Sequence, residues 1–189
     1  MAGDRGILTA IRQRRVVRTF EEAPVTVEQI RKVLLAARWA PAAGNKRVQR
    51  YVAVLDPTMI RLIRTVSPGM SGHPKGLIII CLDWDRVATL GYGGSRSIFH
   101  VDVGTAAENM LLAAQAIGLG AGPVTSFSKE AVSVLLRLPD WLTPELFVIL
   151  GHPLPGKPGH QSRPQTPTRL RDLVIWEQFP SDGPNDQRD

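Results

Sequence analysis

The stretch VDVGTAAENMLLAAQAIGLGAGPV, residues 101–124, contains the longest helical pattern in the sequence. Small and apolar residues fall almost all round the helix predicted over 101–117, which indicates a helix buried at the centre of the fold or packed against another subunit. Asp102, Glu108 and Asn109 interrupt the apolar residues and exclude a membrane span. Three glycines then end the helix and open a short extended segment: Gly118, Gly120 and Gly122.

Apolar runs on either side of this helix predict the strands of a sheet. KGLIIICLDWD (75–85) and ELFVILG (145–151) are the strongest, and the first has the continuous apolar character of a strand buried on both faces. RYVAVLD (50–56) predicts a further strand, which stops where Asp56 and Pro57 begin a short helix.

Two helices are predicted in the N-terminal region. VTVEQIRKVLLAARWAP (25–41) has Thr26 and Gln29 at the spacing of a capping box, followed by one apolar stripe. DRGILTAIRQRR (4–15) predicts a shorter amphipathic helix after an Asp4 cap, with arginines at its end. Because helices and strands alternate irregularly, the pattern predicts a mixed α/β or α+β sandwich with a helical majority.

The length of 189 residues fits one domain, which we place at residues 1–180. Hydrophobic residues make up 43% and charged residues 21%, as in ordinary globular proteins. Within this domain, the proline-rich segment 151–180 predicts an extended C-terminal arm, and the glycine-rich segment 86–99 predicts an irregular loop in a pocket wall. Residues 181–189 predict a flexible tail.

The sequence also indicates a cellular setting. The start, MAGDRGILTA, lacks the apolar core of a signal peptide, and the later apolar runs are too short or too interrupted to cross a bilayer, so we expect neither export nor a membrane. Cys81 is the one cysteine and cannot form an internal disulfide. We therefore expect a cytoplasmic protein.

The net charge of +6 points to an anionic partner. The positive charges are densest at residues 5–18 and return at residues 163–171. No zinc-finger, leucine-zipper or RNP-like pattern accompanies them, which disfavours a nucleic-acid partner. Basic clusters at the two ends of the chain are equally consistent with one small anion held by both and with one broad basic patch.

Few residues are arranged for chemistry of their own. The four histidines lie far apart and have no companion cysteines, so no metal site is predicted: His73, His100, His152 and His160. No G-x-S-x-G motif is present, and Cys81 lies within a predicted strand. If the protein is an enzyme, a bound cofactor performs the difficult step.

Five segments in one order resemble the FMN-dependent nitroreductase family: RRVVRTF, APAAGN, DVGTAAENMLLAAQAIGLG, VILGHP and the basic, proline-rich arm. The resemblance extends from about residue 7 to residue 178. It implies an α+β, nitroreductase-like fold with a central mixed, mainly antiparallel sheet flanked by helices, in an intertwined homodimer with FMN in two interface sites. It also implies hydride transfer from NADH or NADPH to flavin N5, and then two-electron reduction of a nitroaromatic, quinone or related small acceptor.

The resemblance assigns the arginine-rich segment to FMN. Family members have Arg, then Arg or His, then Ser and, after one residue, Arg or Lys, and this segment holds the phosphate and ribityl chain. Arg14, Arg15 and Arg18 match, and Val16 stands in place of the serine. Guanidinium groups suit a phosphate monoester geometrically. Taken alone, the same cluster is also consistent with the solvated basic end of a helix.

Two other segments acquire roles by the same resemblance. The loop APAAGNKRVQ (40–49) is similar to the loop that approaches the flavin from the partner subunit. Asn45 matches, Ala42 replaces a serine, and Arg47 replaces a glutamine, where it would still donate to a flavin carbonyl oxygen.

GLGAGPVTSF (118–127) resembles the stretch beside the isoalloxazine ring, and its candidate contacts are Pro123, Val124, Thr125 and Ser126. The C-terminal arm supplies one further phosphate-binding cation in the family. Arg163 and Arg169 are equal candidates for it here.

Two alternatives to a nitroreductase-type reaction stay open. The first keeps the fold but changes the flavin reaction to flavin fragmentation, dehalogenation or ring oxidation, because the loop around Arg47 departs from the family pattern. The second is a non-enzymatic protein that binds nucleic acid or another polyanion through its basic ends. The sequence does not fix the electron acceptor or the choice between NADH and NADPH.

Overall fold

A computed structural model of the protein describes residues 3–91, 97–155, 169–170 and 173–178. The helices are α1 (Gly3–Gln13), α2 (Val27–Arg38), α3 (Pro57–Thr65), α4 (Trp84–Thr89), α5 (Ile98–Ala116) and α6 (Lys129–Leu136). A 3₁₀ turn spans Ala43–Asn45. The strands are β1 (Gln49–Val54), β2 (Gly76–Asp83), β3 (Gly120–Val124) and β4 (Leu142–Gly151).

The four strands form one sheet in the order β1-β2-β4-β3, and each neighbouring pair is antiparallel. The register of β2 and β4 shifts between Ile80, which lies opposite Leu146, and Cys81, which lies opposite Pro144. Glu145 is therefore the extra residue of a β-bulge on β4. This architecture confirms the predicted α+β fold with a mainly antiparallel central sheet.

Strand β2 lies between two apolar layers and presents alternate residues to each. The layer that includes α2 and α5 contains Ile78, Ile80 and Leu82. The layer that includes α3 and α6 contains Leu77, Ile79 and Cys81. All eight residues of β2 are buried, so the prediction of a strand buried on both faces is confirmed.

The long helix α5 packs against α2 and against strands β2, β3 and β4. Its buried residues form one face of the helix: Phe99, Asp102, Val103, Ala106, Ala107, Met110, Leu111 and Ala114. The helix also has apolar residues away from this face, where Val101 is 66% exposed. The predicted central helix is thus half buried within a single chain.

Local capping signals determine where three helices begin. Thr26 and Gln29 form both hydrogen bonds of the predicted capping box at α2. The Asp56 carboxylate accepts the N–H groups that open α3, and the Ser128 hydroxyl accepts the N–H of Ala131 in α6. The predicted helix start at Asp56-Pro57 is therefore confirmed.

Two expectations were wrong in detail. Helix α1 begins at Gly3, so Asp4 lies in its first turn and does not cap it. The segment predicted as an irregular loop over 86–99 contains most of α4 and the start of α5, because Asp83 caps α4 by accepting the N–H of Arg86. Residues 92–96 of that segment lie outside the described residues.

Within the described ranges, no helix has the length and apolar character needed to cross a bilayer. In the same part of the chain, no three His, Cys, Asp or Glu side chains are grouped closely enough to hold a metal ion.

Candidate functional site

The arginine-rich segment lies along the free edge of β3. Val16 forms a parallel bridge with Ala121, and the Val17 N–H donates to the Ala121 carbonyl at 2.8 Å. Further along, Phe20 bridges Pro153 at the start of the C-terminal arm. The backbone of residues 16–20 thus lies along the edge of the sheet as an extra segment. This contact fixes the backbone positions from which the neighbouring arginine side chains extend.

Two glycines of β3 permit this close approach. A Cβ atom at Gly120 would lie 2.6 Å from a methyl group of Val17, and one at Gly122 would lie 3.1 Å from a methyl group of Val16. The side chain of Val16 therefore packs on β3. Val16 stands where the family has a serine, and it offers backbone groups but no hydroxyl at this position.

Arg18 is the best-placed cation of the segment. Its NH2 group donates to the carbonyl of Pro123 at 3.2 Å. Its Nε atom is buried and has no hydrogen-bond partner among the described residues. A buried, unsatisfied N–H on a cation favours an anionic or carbonyl acceptor at that place, because burying it alone is costly.

The other two arginines differ in their surroundings. Arg14 is about three-quarters buried, and its Nε atom lies 2.9 Å from Glu108 Oε1 in an ion pair that lacks hydrogen-bond geometry. Arg15 is exposed, and its NH1 group donates to the carbonyls of Arg12 and Arg14. Arg14 and Arg18 are therefore held by contacts with distant parts of the fold, whereas Arg15 donates to carbonyls at the C-terminal end of α1.

The segment after β3 brings further predicted residues to the same place. Pro123 contacts Arg18 through its carbonyl, and Val124 is 2% exposed in the core. Thr125 and Ser126 are exposed. The structure thus brings Pro123, the first of these residues, together with Arg18, although the two lie about a hundred positions apart in the sequence.

The loop that contains Ala42, Asn45 and Arg47 is anchored elsewhere. Both carboxylate oxygens of Asp102 accept the N–H of Ala43, at 3.0 and 3.1 Å, and the Thr105 hydroxyl donates to the Pro41 carbonyl at 3.0 Å. The first half of α5 therefore fixes the conformation of this loop.

The side chain of Arg47 is engaged within its own loop. Its NH1 group donates to the Asn45 side-chain oxygen at 2.5 Å, and its Nε donates to the Arg38 carbonyl at 3.3 Å. No hydrogen bond or ion pair joins Asn45 or Arg47 to Arg14, Arg15 or Arg18 across the residues described here. Within a single chain the predicted site residues thus form two groups with no hydrogen bond or ion pair between them among the described residues: the arginine half-site (Arg14, Arg18 and residues 123–126) and the loop half-site (residues 41–47).

The sequence pattern did not identify one segment beside the arginine half-site. The turn after α3 brings Gly72 so close that a Cβ atom there would lie 1.9 Å from the Arg18 carbonyl oxygen. In the same turn, the Gly69 N–H donates to the Ser126 carbonyl at 3.0 Å. The closely spaced glycines of SPGMSGHPKG (67–76) are the signal that could have indicated such a close approach.

Of the two candidate cations in the C-terminal arm, Arg163 lies outside the described residues. Arg169 is described, and its part in the site stays a prediction.

Comparison with known proteins identifies the family. The model of the nitroreductase family matches residues 11–75 and 77–152. The chain belongs to the nitroreductase family. Among its relatives, the NADH dehydrogenase of Thermus thermophilus is 28% identical over 199 residues, covering 89% of this chain and 94% of its own. A protein of Archaeoglobus fulgidus, described as an NADH dehydrogenase or NAD(P)H nitroreductase, is 28% identical over 152 residues, covering 77% and 84% of the two chains.

Solved structures agree with this assignment. A protein of Desulfovibrio desulfuricans, described as a nitroreductase and solved in complex with FMN, is 28% identical to this chain. It matches with a TM-score of 0.74 over 93% of this chain and 98% of its own. The nitroreductase fold inferred from the sequence is thus confirmed.

Asp102 is the buried carboxylate that holds the loop half-site of this nitroreductase-family chain, and it gives a first prediction. Burial raises the pKa of the Asp102 carboxyl above its ordinary value of 3.8, and the N–H of Ala43 partly offsets the effect. The folded protein therefore keeps this proton to a higher pH than the unfolded chain does. The contribution of Asp102 to stability is thus greatest in acid and falls as the pH rises through that window.

The substitution Asp102→Asn keeps a side-chain oxygen that can accept the hydrogen bond from the Ala43 N–H. Because the amide is neutral, its burial does not depend on pH. We expect the free energy of unfolding of this variant, measured with denaturant between about pH 4 and pH 7, to lack the fall seen in the parent protein. Asp102→Leu, which leaves the N–H of Ala43 unpartnered, should lose about 1 to 3 kcal/mol. The same pH slope in Asp102→Asn as in the parent would contradict the assignment.

A second prediction is that the Cys81 thiol does not react as a nucleophile in the folded protein. The thiol is fully buried in β2, and burial, followed by the nearby Glu145 carboxylate, raises its pKa to about 12. We expect no alkylation of the folded protein by iodoacetamide at mildly alkaline pH and complete alkylation after unfolding, as measured by intact mass. Rapid labelling of the folded protein would show that the thiol is accessible and reactive.

Proposed function

We propose that the protein is an FMN-dependent oxidoreductase that uses NADH or NADPH to reduce a nitroaromatic, quinone or related small acceptor. The single observation that supports this most strongly is the arginine half-site. There, two partly buried arginines are held by the fold, Arg14 by Glu108 of α5 and Arg18 by Pro123 of the glycine-rich strand β3. The Nε–H of Arg18 has no partner among the described residues.

This half-site fits the phosphate end of FMN. A phosphate monoester is close to a dianion, and the guanidinium groups of Arg14 and Arg18 supply charge-assisted donors for it. The buried Nε–H of Arg18 has no acceptor among the described residues, and an oxygen of the cofactor would supply one. FMN binding by the structural relative from Desulfovibrio desulfuricans supports the same assignment.

FMN, when bound, supplies two-electron chemistry by accepting a hydride and passing two electrons on. The chain contributes binding and positioning. Arg14 and Arg18 hold the anionic end, and the glycines of β3 let the backbone of residues 16–18 approach. Asp102 and Thr105 hold the loop half-site in place. We assign no side-chain acid or base to the reaction, and protons can come from water.

We further propose that the protein is a homodimer in which each site joins the arginine half-site of one chain to the loop half-site of its partner. The support is apolar surface that a single chain leaves exposed. Ile7 and Ile11 on α1 are 68% and 49% exposed, and Val101 on α5 is 66% exposed. The described part of the arm adds exposed side chains, namely Leu170, Leu173, Ile175 and Trp176.

A third prediction tests this assembly. Val101→Glu places a charge on the outer face of α5 without entering the core, so we expect it to convert a dimer into a folded monomer that binds FMN more weakly. Light scattering coupled to size-exclusion chromatography gives the mass, and circular dichroism confirms the fold. A parent protein that is monomeric in the presence of FMN would contradict the shared-site proposal.

The reaction itself is tested by steady-state kinetics with added FMN. We expect oxidation of NADH or NADPH that depends on both FMN and a nitroaromatic or quinone acceptor, with the parallel-line pattern of alternating half-reactions. Recovery of intact FMN after many turnovers separates this activity from flavin fragmentation. FMN-loaded protein that oxidises neither nucleotide would overturn the proposal.

A further inference from the structure

A cleft whose lining includes no residue of either half-site lies beside α3. Its volume is about 490 Å³, and it is bordered by α3 and by the segments 22–25 and 73–75. Apolar side chains of Val25, Leu55 and Ile60 line its inner surface. Two of them, Val25 and Ile60, are more than nine-tenths buried, so this apolar surface is a fixed part of the fold.

The polar lining of the cleft is strongly cationic. Of the residues that the structure describes, Arg61, Arg64 and Lys75 line it together with a single carboxylate, that of Glu22. Lys75 Nζ lies 2.7 Å from Glu22 Oε2, and this hydrogen bond lowers the pKa of Glu22, whose carboxylate is therefore charged at neutral pH. The lining thus has two more positive than negative charges when His73 is neutral.

The two arginines of the cleft are three positions apart on α3 and so lie on the same face of the helix. Arg64 is already ordered, because its NH1 group donates to the Gly72 carbonyl at 3.1 Å and lies 2.7 Å from His73 Nδ1. Arginine is only a donor, so the ring nitrogen that forms this hydrogen bond is the acceptor. Arg61 has no hydrogen-bond or ion-pair partner among the described residues.

We propose that this cleft binds a small aromatic anion, with its negative group held by Arg61 and Arg64 and its ring against Val25, Leu55 and Ile60. An excess of cations above a fixed apolar surface selects a ligand that has both a charge and an apolar body. The cleft is distinct from the arginine half-site, but one turn borders both, since His73 lines the cleft and Gly72 lies against the Arg18 carbonyl.

The test uses the full-length protein with one equivalent of FMN per chain, so that the arginine half-site is occupied and no free FMN, itself an aromatic anion, competes for the cleft. The probe is anilinonaphthalene sulfonate, which combines an aromatic body with an anionic group and becomes fluorescent when bound. We expect saturable binding that Arg61→Glu weakens roughly tenfold, the value of one charge-assisted contact. Arg31→Glu is the matched control, because Arg31 is an equally exposed arginine on α2, and it should bind as the parent does.

Competition defines the ligand class. Phenyl phosphate should displace the probe at lower concentration than inorganic phosphate does, because only the former has an apolar body. Equal binding by Arg61→Glu and Arg31→Glu, or no saturable binding to the parent protein, would overturn the proposal. If the protein does not take up FMN, the same comparison made without FMN still tests the cleft, so failure of the proposed function and failure of this inference are distinguishable.

Discussion

Replacement of both Arg14 and Arg18 with glutamine is expected to weaken FMN binding by roughly a hundredfold to ten-thousandfold. Each charge-assisted hydrogen bond to an anion contributes about 1.5 to 3 kcal/mol, and the double variant removes at least two of them. The structure makes this the largest expected effect on binding, because the fold holds both arginines in place: Arg14 pairs with Glu108 on α5, and Arg18 donates to Pro123 on β3. Quenching of FMN fluorescence on titration with protein gives the dissociation constant.

The matched control removes two positive charges elsewhere. Arg12→Gln with Arg31→Gln alters two exposed arginines and leaves the net charge equal to that of the Arg14 and Arg18 double variant. This control should bind FMN within a few-fold of the parent. A similar loss in both double variants would show that net charge alone attracts FMN, and it would contradict the assignment of Arg14 and Arg18.

The largest expected effect on stability is that of Gly72→Ala. Gly72 has a φ of +84°, and an added Cβ would lie 1.9 Å from the Arg18 carbonyl oxygen, which is a backbone atom and cannot move aside alone. The left-handed backbone and the steric clash together should cost about 2 to 5 kcal/mol. Because relief of the clash moves Arg18 or the turn against it, FMN binding should fall as well.

The variant Gly91→Ala separates the cost of the left-handed backbone from the cost of the steric clash. Gly91 also has a positive φ, +75°, but no atom of the described residues lies within 4 Å of the position that its Cβ would take. This variant should lose only the backbone contribution, about 1 to 2 kcal/mol, and keep its affinity for FMN. Chemical denaturation measures both variants, and equal losses at Gly72 and Gly91 would show that the contact with Arg18 is unimportant.

The parts of the fold that the sequence predicted correctly are those with a local cause. The capping box of Thr26 and Gln29, the Asp56 cap and the continuous apolar run of β2 each depend on residues within a few positions of one another. Helix α4 was missed because six residues are too few to show a helical period. Asp83, the N-cap residue of α4, is also the last residue of β2, so its sequence pattern indicates a strand end and not a helix start.

The candidate site was predictable only in part, because its contacts are distant in sequence. Arg18 meets Pro123 across about a hundred positions, and Gly72 meets Arg18 across more than fifty. No periodicity specifies such pairs. The resemblance to the family indicated the first pair, whereas the turn at Gly72 became visible only once the chain was folded. The roles of Asn45 and Arg47 towards a partner chain stay predictions for the same reason.

The absorbance spectrum of the purified, FMN-incubated and then desalted protein tests the central claim most directly. We predict a yellow protein with one FMN per chain, whose flavin band bleaches without oxygen when NADH or NADPH is added and returns when a quinone or nitroaromatic is supplied. A colourless protein that releases all added FMN on desalting, with its fold intact by circular dichroism, would contradict the account.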